Sequence, residues 1–310
     1  MKLYHGCPLF VAISILGVSS GQATEPPIVA VSFSPDAHVV VTASQSGVRC
    51  LAWPELSRQR EIRTAVTNPN EIVFSPNGKQ LAIAGGRPSE EGVVEIVSWP
   101  AGKSLRFINE HIDSVMAVRW LSDTLIATAS LDHGIQIVDT MSGELVRTLK
   151  GHSRGVTSLA VVADDVLVSA GIDQSLRVWK TRTGELQRSL NIHTRPIHAL
   201  ARRPAVDGLP MLASVSEDRT VRFWQPTIGR MVRFARLESQ PLCAAWLLDG
   251  SQVVVACTNG HVYFVDPETV KVTQDVAAIE GWAYALAVHP ASRRVVVGGS
   301  DGQLSVVGAK

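Results

Sequence analysis

From Ile28 onward the chain repeats a unit of about 42 residues, and no other feature limits its fold so strongly. Each unit has an apolar strand closing near Ser-Pro-Asp or Asp-Gly, a strand of small and apolar residues, a polar turn, and a β-branched strand that often ends on Trp. Val39–Ser44, Leu125–Ser130, Val166–Gly171 and residues 211–216 and 295–300 are examples of the second strand. The turn residue before the third strand recurs as Gly47, Gly92, Gly134, Ser175, Thr220, Gly260 and Gly302, which makes seven units. A period near 42 belongs to four-stranded propeller blades and is too long for leucine-rich or ankyrin repeats. Alternation within strands, as in residues 175–179 (SLRVW) and 220–224 (TVRFW), puts successive side chains on opposite faces of a sheet. The fold class is therefore all-β: a seven-bladed propeller of four-stranded antiparallel blades.

Ahead of the repeats stands a different kind of segment. Lys2 precedes an apolar run, Leu9–Val18, and then small and polar residues up to Ala23. This is the order of a secretory signal peptide, with cleavage expected after Ala23 and the propeller occupying residues 24–310. The alternative is that residues 1–23 stay attached as a first strand or membrane anchor. The apolar run is about half of the roughly 20 residues that a membrane-spanning helix needs. Cys7 lies before the run, which does not fit a lipoprotein signal. Export places the mature chain in the periplasm or cell envelope.

Charge excludes one broad class of function. With 29 basic and 28 acidic residues, spread in ones and twos, the chain lacks the concentrated positive footprint of a nucleic-acid binder. Cys7, Cys50, Cys243 and Cys257 match no paired zinc, CxxC or haem-attachment spacing. Cys243 and Cys257 fall on neighbouring strands of blade six and read as two buried free thiols, because a disulfide between directly opposed strands is strained. His38, His133, His198, His261 and His289 are scattered over several blades and show no metal-ligand spacing.

Three central repeats share a polar set at fixed spacing: His111, Thr128 and Asp132; His152, Ser169, Asp173 and Trp179; His193, Ser214, Asp218 and Trp224. In each the hydroxyl residue is four before the Asp, and the third-strand residue is six after it, where Val138 replaces Trp in the first set. These residues resemble the structural tetrad of the WD-repeat family, of the exported bacterial type given the leader. The resemblance implies a non-catalytic scaffold for protein partners, such as a c-type cytochrome or another envelope protein. Repetition of the His-Asp-Ser set argues against a hydrolase triad, since an active site is normally built once. No cofactor is implied.

Outer repeats depart from the pattern. Asn259 stands where the sixth Asp belongs, Asp301 in the seventh has no matching His or hydroxyl, and the first two repeats end in Trp53-Pro54 and Trp99-Pro100. Thr24–Pro27 is too short and too proline-rich to complete the seventh blade, which is therefore expected to have three strands. The loops that enter each innermost strand share one face with the turns between second and third strands. Trp282, Tyr284, Arg154 and Arg195 are the candidate partner-binding residues there, because aromatic residues and Arg dominate binding hot spots. The alternative for Trp282 and Tyr284 is packing between blades six and seven. Competing functions are a propeller lactonase or quinone-dependent dehydrogenase, for which Asp113, Asn259 and Glu280 are the residues on offer, and carbohydrate binding by stacking on Trp282 and Tyr284.

Overall fold

In the computed structural model, which describes residues 25–204 and 211–309, seven antiparallel sheets follow one another along the chain. The proposed leader 1–23 and the mature N-terminus at Thr24 lie outside the described residues. Six sheets have four strands and the seventh has three, each ordered as a simple meander. The innermost strands are Ala30–Phe33, Glu71–Phe74, Val115–Trp120, Val156–Ala163, Ile197–Arg202, Pro241–Trp246 and Ala283–Val288. The first of these packs beside the last, which closes the ring. No helix among the described residues is long and apolar enough to cross a membrane.

Because both faces of each blade are covered, the middle strands are buried throughout. Leu212–Ser216, Val253–Cys257 and residues 40–44 have no exposed position. The core accordingly divides into wedges between adjacent blades. Trp120 Nε1 donates to Val73 O at 3.1 Å and Trp246 Nε1 to Ala201 O at 2.9 Å, so two indoles tie an innermost strand to the preceding one. Tight turns demand particular residues: Gly260 sits at φ +76, where a Cβ would lie 1.9 Å from Ile279 O.

Cys243 and Cys257 are not opposed. A bulge between Pro241 and Cys243 pairs Cys243 with Ala256 and Pro241 with Cys257. One extra residue reverses the face that a side chain presents. Cys243 therefore packs in the wedge toward blade seven and Cys257 in the wedge toward blade five. Cys50, Cys243 and Cys257 are free thiols, and burial pushes the Cys243 thiol up to about 12.

The outermost strands carry a second regularity that runs around the ring. Arg60, Arg106, Arg147, Arg188, Arg233 and Gln274 occupy the same register, opposite Cys50, Ile96, Ile137, Val178, Phe223 and Phe264. Each side chain reaches forward to the next blade, to the turn between its third and fourth strands where that turn exists. Arg60 stacks on the Trp99 ring at 5.0 Å, Arg106 donates to Met141 O, and Arg147 donates to Thr181 O at 3.1 Å. Arg188 donates to Thr227 O and Arg233 to Pro267 O, both at 3.3 Å, and Gln274 donates to Gly308 O at 3.0 Å.

Candidate functional site

In blades three, four and five the loop that enters the innermost strand is bound to the turn between the second and third strands. The residue after each Asp, namely His133, Gln174 or Arg219, has positive φ, which folds the Asp back over its own turn. Asp132 Oδ1 then accepts from the N–H of Gly134 at 2.8 Å, Asp173 Oδ1 from Ser175 at 3.2 Å, and Asp218 Oδ1 from Thr220 at 3.0 Å. The other carboxylate oxygen takes the Nδ1–H of His111, His152 or His193 at 2.7, 2.9 and 2.7 Å.

That bond fixes the tautomer, since a carboxylate can only accept. Nε2 must then accept, and it does so from Thr128, Ser169 and Ser214 at 2.8, 2.7 and 2.7 Å. The indoles of Trp179 and Trp224 close the chain by donating to Ser169 and Ser214 at 2.8 Å. In blade three Val138 fills the indole position with apolar packing alone. Burial is the largest single effect on Asp132, Asp173 and Asp218 and works against their charge. The hydrogen bond and charge of each His, added to the bonds from the turn and loop donors, together outweigh it and hold all three below the usual carboxylate range. For His193 burial is the larger effect, and its pKa falls despite Asp218.

These sets are structural. Ser169 and Ser214 are fully buried, and each hydroxyl already donates to a His and accepts from an indole. Neither oxygen can meet a substrate.

Of the residues offered for chemistry, Asp113 and Asn259 have their side chains engaged in turns, while the Glu280 side chain is exposed. Asp113 caps the N–H groups of Ser89 and Ser114, at 2.8 and 2.7 Å. Asn259 bonds to Tyr263 Oη at 3.0 Å, and the Glu280 backbone is held by Gln303. Among the described residues no three of His, Cys, Asp and Glu form a metal-binding group. A cavity of about 520 Å3 opens at the opposite end of the ring, where the innermost strands finish. Apolar side chains such as Val73, Phe74, Trp120 and Leu248 line it, with Arg119 and Arg202, and no described carboxylate or His does so.

The loop face is where exposed, bond-capable residues gather. Arg154, Arg195 and Trp282 are exposed there, Trp282 to 47%. Tyr284 is half-buried, its ring 5.7 Å from that of Trp282, so this pair is neither a closed core contact nor two independent side chains. Ile112, 77% exposed, and Ile192 stand beside the tetrad histidines on the same loops. Neither is among the partner-binding residues singled out from the sequence; the His turns inward and thereby turns its neighbour out.

Sequence comparison bears on the middle of the ring. Residues 143–180 and 184–225 match the family model of the WD domain, G-beta repeat. Two of its repeats are similar to WD repeats. Each matched segment takes the fourth strand of one blade with the first three of the next, so a WD repeat here spans a blade boundary. WD-repeat propellers commonly serve as protein-interaction scaffolds. No curated protein matches the chain.

Proposed function

We propose that the chain is a non-catalytic scaffold that docks a protein partner on its loop face, as part of an exported or cell-envelope complex. The observation that carries this reading is the half-exposed Trp282, tilted against Tyr284 and sharing one face with Arg154, Arg195, Ile112 and Ile192. A face that carries an exposed aromatic together with Arg and apolar groups has the composition of an interface, where desolvated anchors supply most of the binding energy. In blades three to five the tetrads hold the loops of Ile112, Arg154, Ile192 and Arg195, so less ordering entropy is lost there on docking. The envelope setting rests on the leader-like order of residues 1–23, and within it a c-type cytochrome is one partner of suitable kind. N-terminal sequencing of the exported protein tests the setting, with Thr24 expected first.

Trp282→Ala tests the docking face. Thermal melting should shift little, as for other surface substitutions away from buried features. Co-purification of the partner should fall by a factor expected from about 2 kcal/mol or more. A normally stable variant that keeps every partner removes Trp282 from the interface.

A further inference from the structure

Blade seven ends at its third strand, Leu304–Gly308, and the register of the other blades defines what is missing. Leu304 and Val306 are the counterparts of Val262 and Phe264 in blade six. In all six complete blades the position matching Leu304 is buried and faces an aliphatic residue of the fourth strand: Ile62, Ile108, Leu149, Leu190, Ala235 or Val276. The position matching Val306 is at most 2% exposed in those blades and faces the forward-reaching Arg or Gln. Val306 itself is 41% exposed, and Leu304 is only half-buried.

Backbone polarity agrees. Ala309 N–H donates to Arg293 O, and Gln303 O accepts from Gly299 N–H, so residues 303 and 309 turn their peptide groups inward. In an antiparallel ladder these groups alternate, so those of Leu304 and Val306 point to the open edge. An edge of this kind is a template for one more strand.

We infer that blade seven is completed in trans by an extended segment of a partner protein carrying Arg, any residue, then Ile or Leu, laid antiparallel on Leu304–Gly308. The aliphatic residue would cover Leu304. The Arg would oppose Val306 and reach the blade-one turn, where Trp53 is half-buried and the exposed Glu55 offers a carboxylate. Two complete junctions show the same chemistry: Arg60 stacks on Trp99, the blade-two counterpart of Trp53, and Arg233 pairs with Glu268 in the blade-six turn. At the seam the His289 ring lies 5.1 Å from that of Trp53, and among the described residues the guanidinium over Trp53 is that of Arg294, from the second strand of blade seven, at 6.0 Å. Residues 1–24 contain no arginine, and their one glutamine, Gln22, is followed two residues on by Thr24 and not by an aliphatic residue; a second copy's own edge strand has neither Arg nor Gln, so neither supplies the required pair. This edge is separate from the loop face and stands independently of it.

The test uses the full chain and the octapeptide Gly143–Lys150 (GELVRTLK), the propeller's own blade-three strand, as probe. In the free protein the amides of Leu304 and Val306 should exchange with deuterium at least about 100-fold faster than those of Val262 and Phe264. The peptide should bind and protect those two amides. Its Arg→Ala form should bind about tenfold or more weakly, the worth of one charge-assisted hydrogen bond. Val306→Pro removes one outward donor on an edge strand, so the melting temperature should hold while peptide binding disappears. Slow exchange at 304 and 306 in the free chain would mean that residues 1–24 or a second copy already cover the edge, and would overturn the proposal. So would failure of the peptide to bind at millimolar concentration, or binding that ignores the peptide Arg.

Discussion

The junction between blades four and five and the seam between blades seven and one are built from the same repeat, yet they differ in every layer of the structure. The first buries ten apolar residues, including Leu176, Ile197 and Trp224, and is flanked by two complete tetrads. The second buries four, Phe33, Val40, Leu51 and Val296, with the half-buried Trp53 and the buried His289 as ring neighbours of Phe33. It also has no tetrad, since Asp301 is exposed in a short turn. In a ring each wedge must hold for the whole to stay closed, so opening begins at the thinnest one. Local stability in this propeller follows junction by junction, as expected where cooperative units differ in buried contacts.

Substitutions can break that contrast. Trp224→Ala should cost about 3–5 kcal/mol in urea unfolding, because it leaves a cavity and strands the Ser214 hydroxyl. Trp53→Ala at the seam, where the ring is only half-buried, should cost less than half as much. Equal costs would erase the distinction. Next in size, Asp173→Ala should cost about 1–3 kcal/mol by leaving His152 and the Ser153 and Ser175 amides without their acceptor. The matching change Asp301→Ala should stay within about 0.5 kcal/mol, since Asp301 is exposed.

Acid sharpens the comparison with the smallest expected effect. His198, on the innermost strand of blade five and bonded to Gln240, is held by burial at about 4, and burial lowers His193 as well. A folded-state pKa below the unfolded value of about 6.5 means that the unfolded chain takes up protons first as pH falls. Their contribution is complete above pH about 6.5 and is lost progressively toward pH 4. The tetrad carboxylates, whose folded pKa values are depressed, withdraw theirs only below about pH 4. His289 at the seam is also lowered, chiefly by burial, so His198→Gln should flatten part of the profile and not all of it. Melting temperature measured between pH 7 and 4 decides this; a wild-type profile without slope contradicts it.

Much of this architecture is legible in the sequence because it is local. The period, the seven turns and the four-and-six spacing of the tetrads each lie within one repeat, where apolar alternation and turn residues report directly on geometry. The three-stranded seventh blade is legible by counting. What escapes is set between repeats. The Arg-x-aliphatic signature of the fourth strands lies in weakly patterned segments such as residues 186–190 (LQRSL), four of whose five residues are exposed, and it emerges only when registers are aligned across blades. Glu95 matches no motif in the sequence. It is buried, accepting from the Thr64 hydroxyl at 2.7 Å and the Ala65 N–H at 2.9 Å, a contact between blades that no local spacing reveals. The register of Cys243 and Cys257, though not their being free thiols, stays open in the sequence for the same reason, since a single bulge at Pro241–Cys243 leaves no mark in composition.

The forward-reaching side chains also give the ring a direction in time. Arg60, Arg106, Arg147, Arg188 and Arg233 each fasten a blade to the one that follows it in the chain and never to the one before. A polypeptide delivered N-terminus first, from a ribosome or through a membrane pore, can therefore be latched one blade at a time, each arrival locking its predecessor. The steps are ordered like a ratchet, so a chain stalled midway would hold a stack of secured blades with only its newest one loose. The last step, between blades seven and one, joins the oldest blade to the youngest and is the only one that must wait for the whole ring.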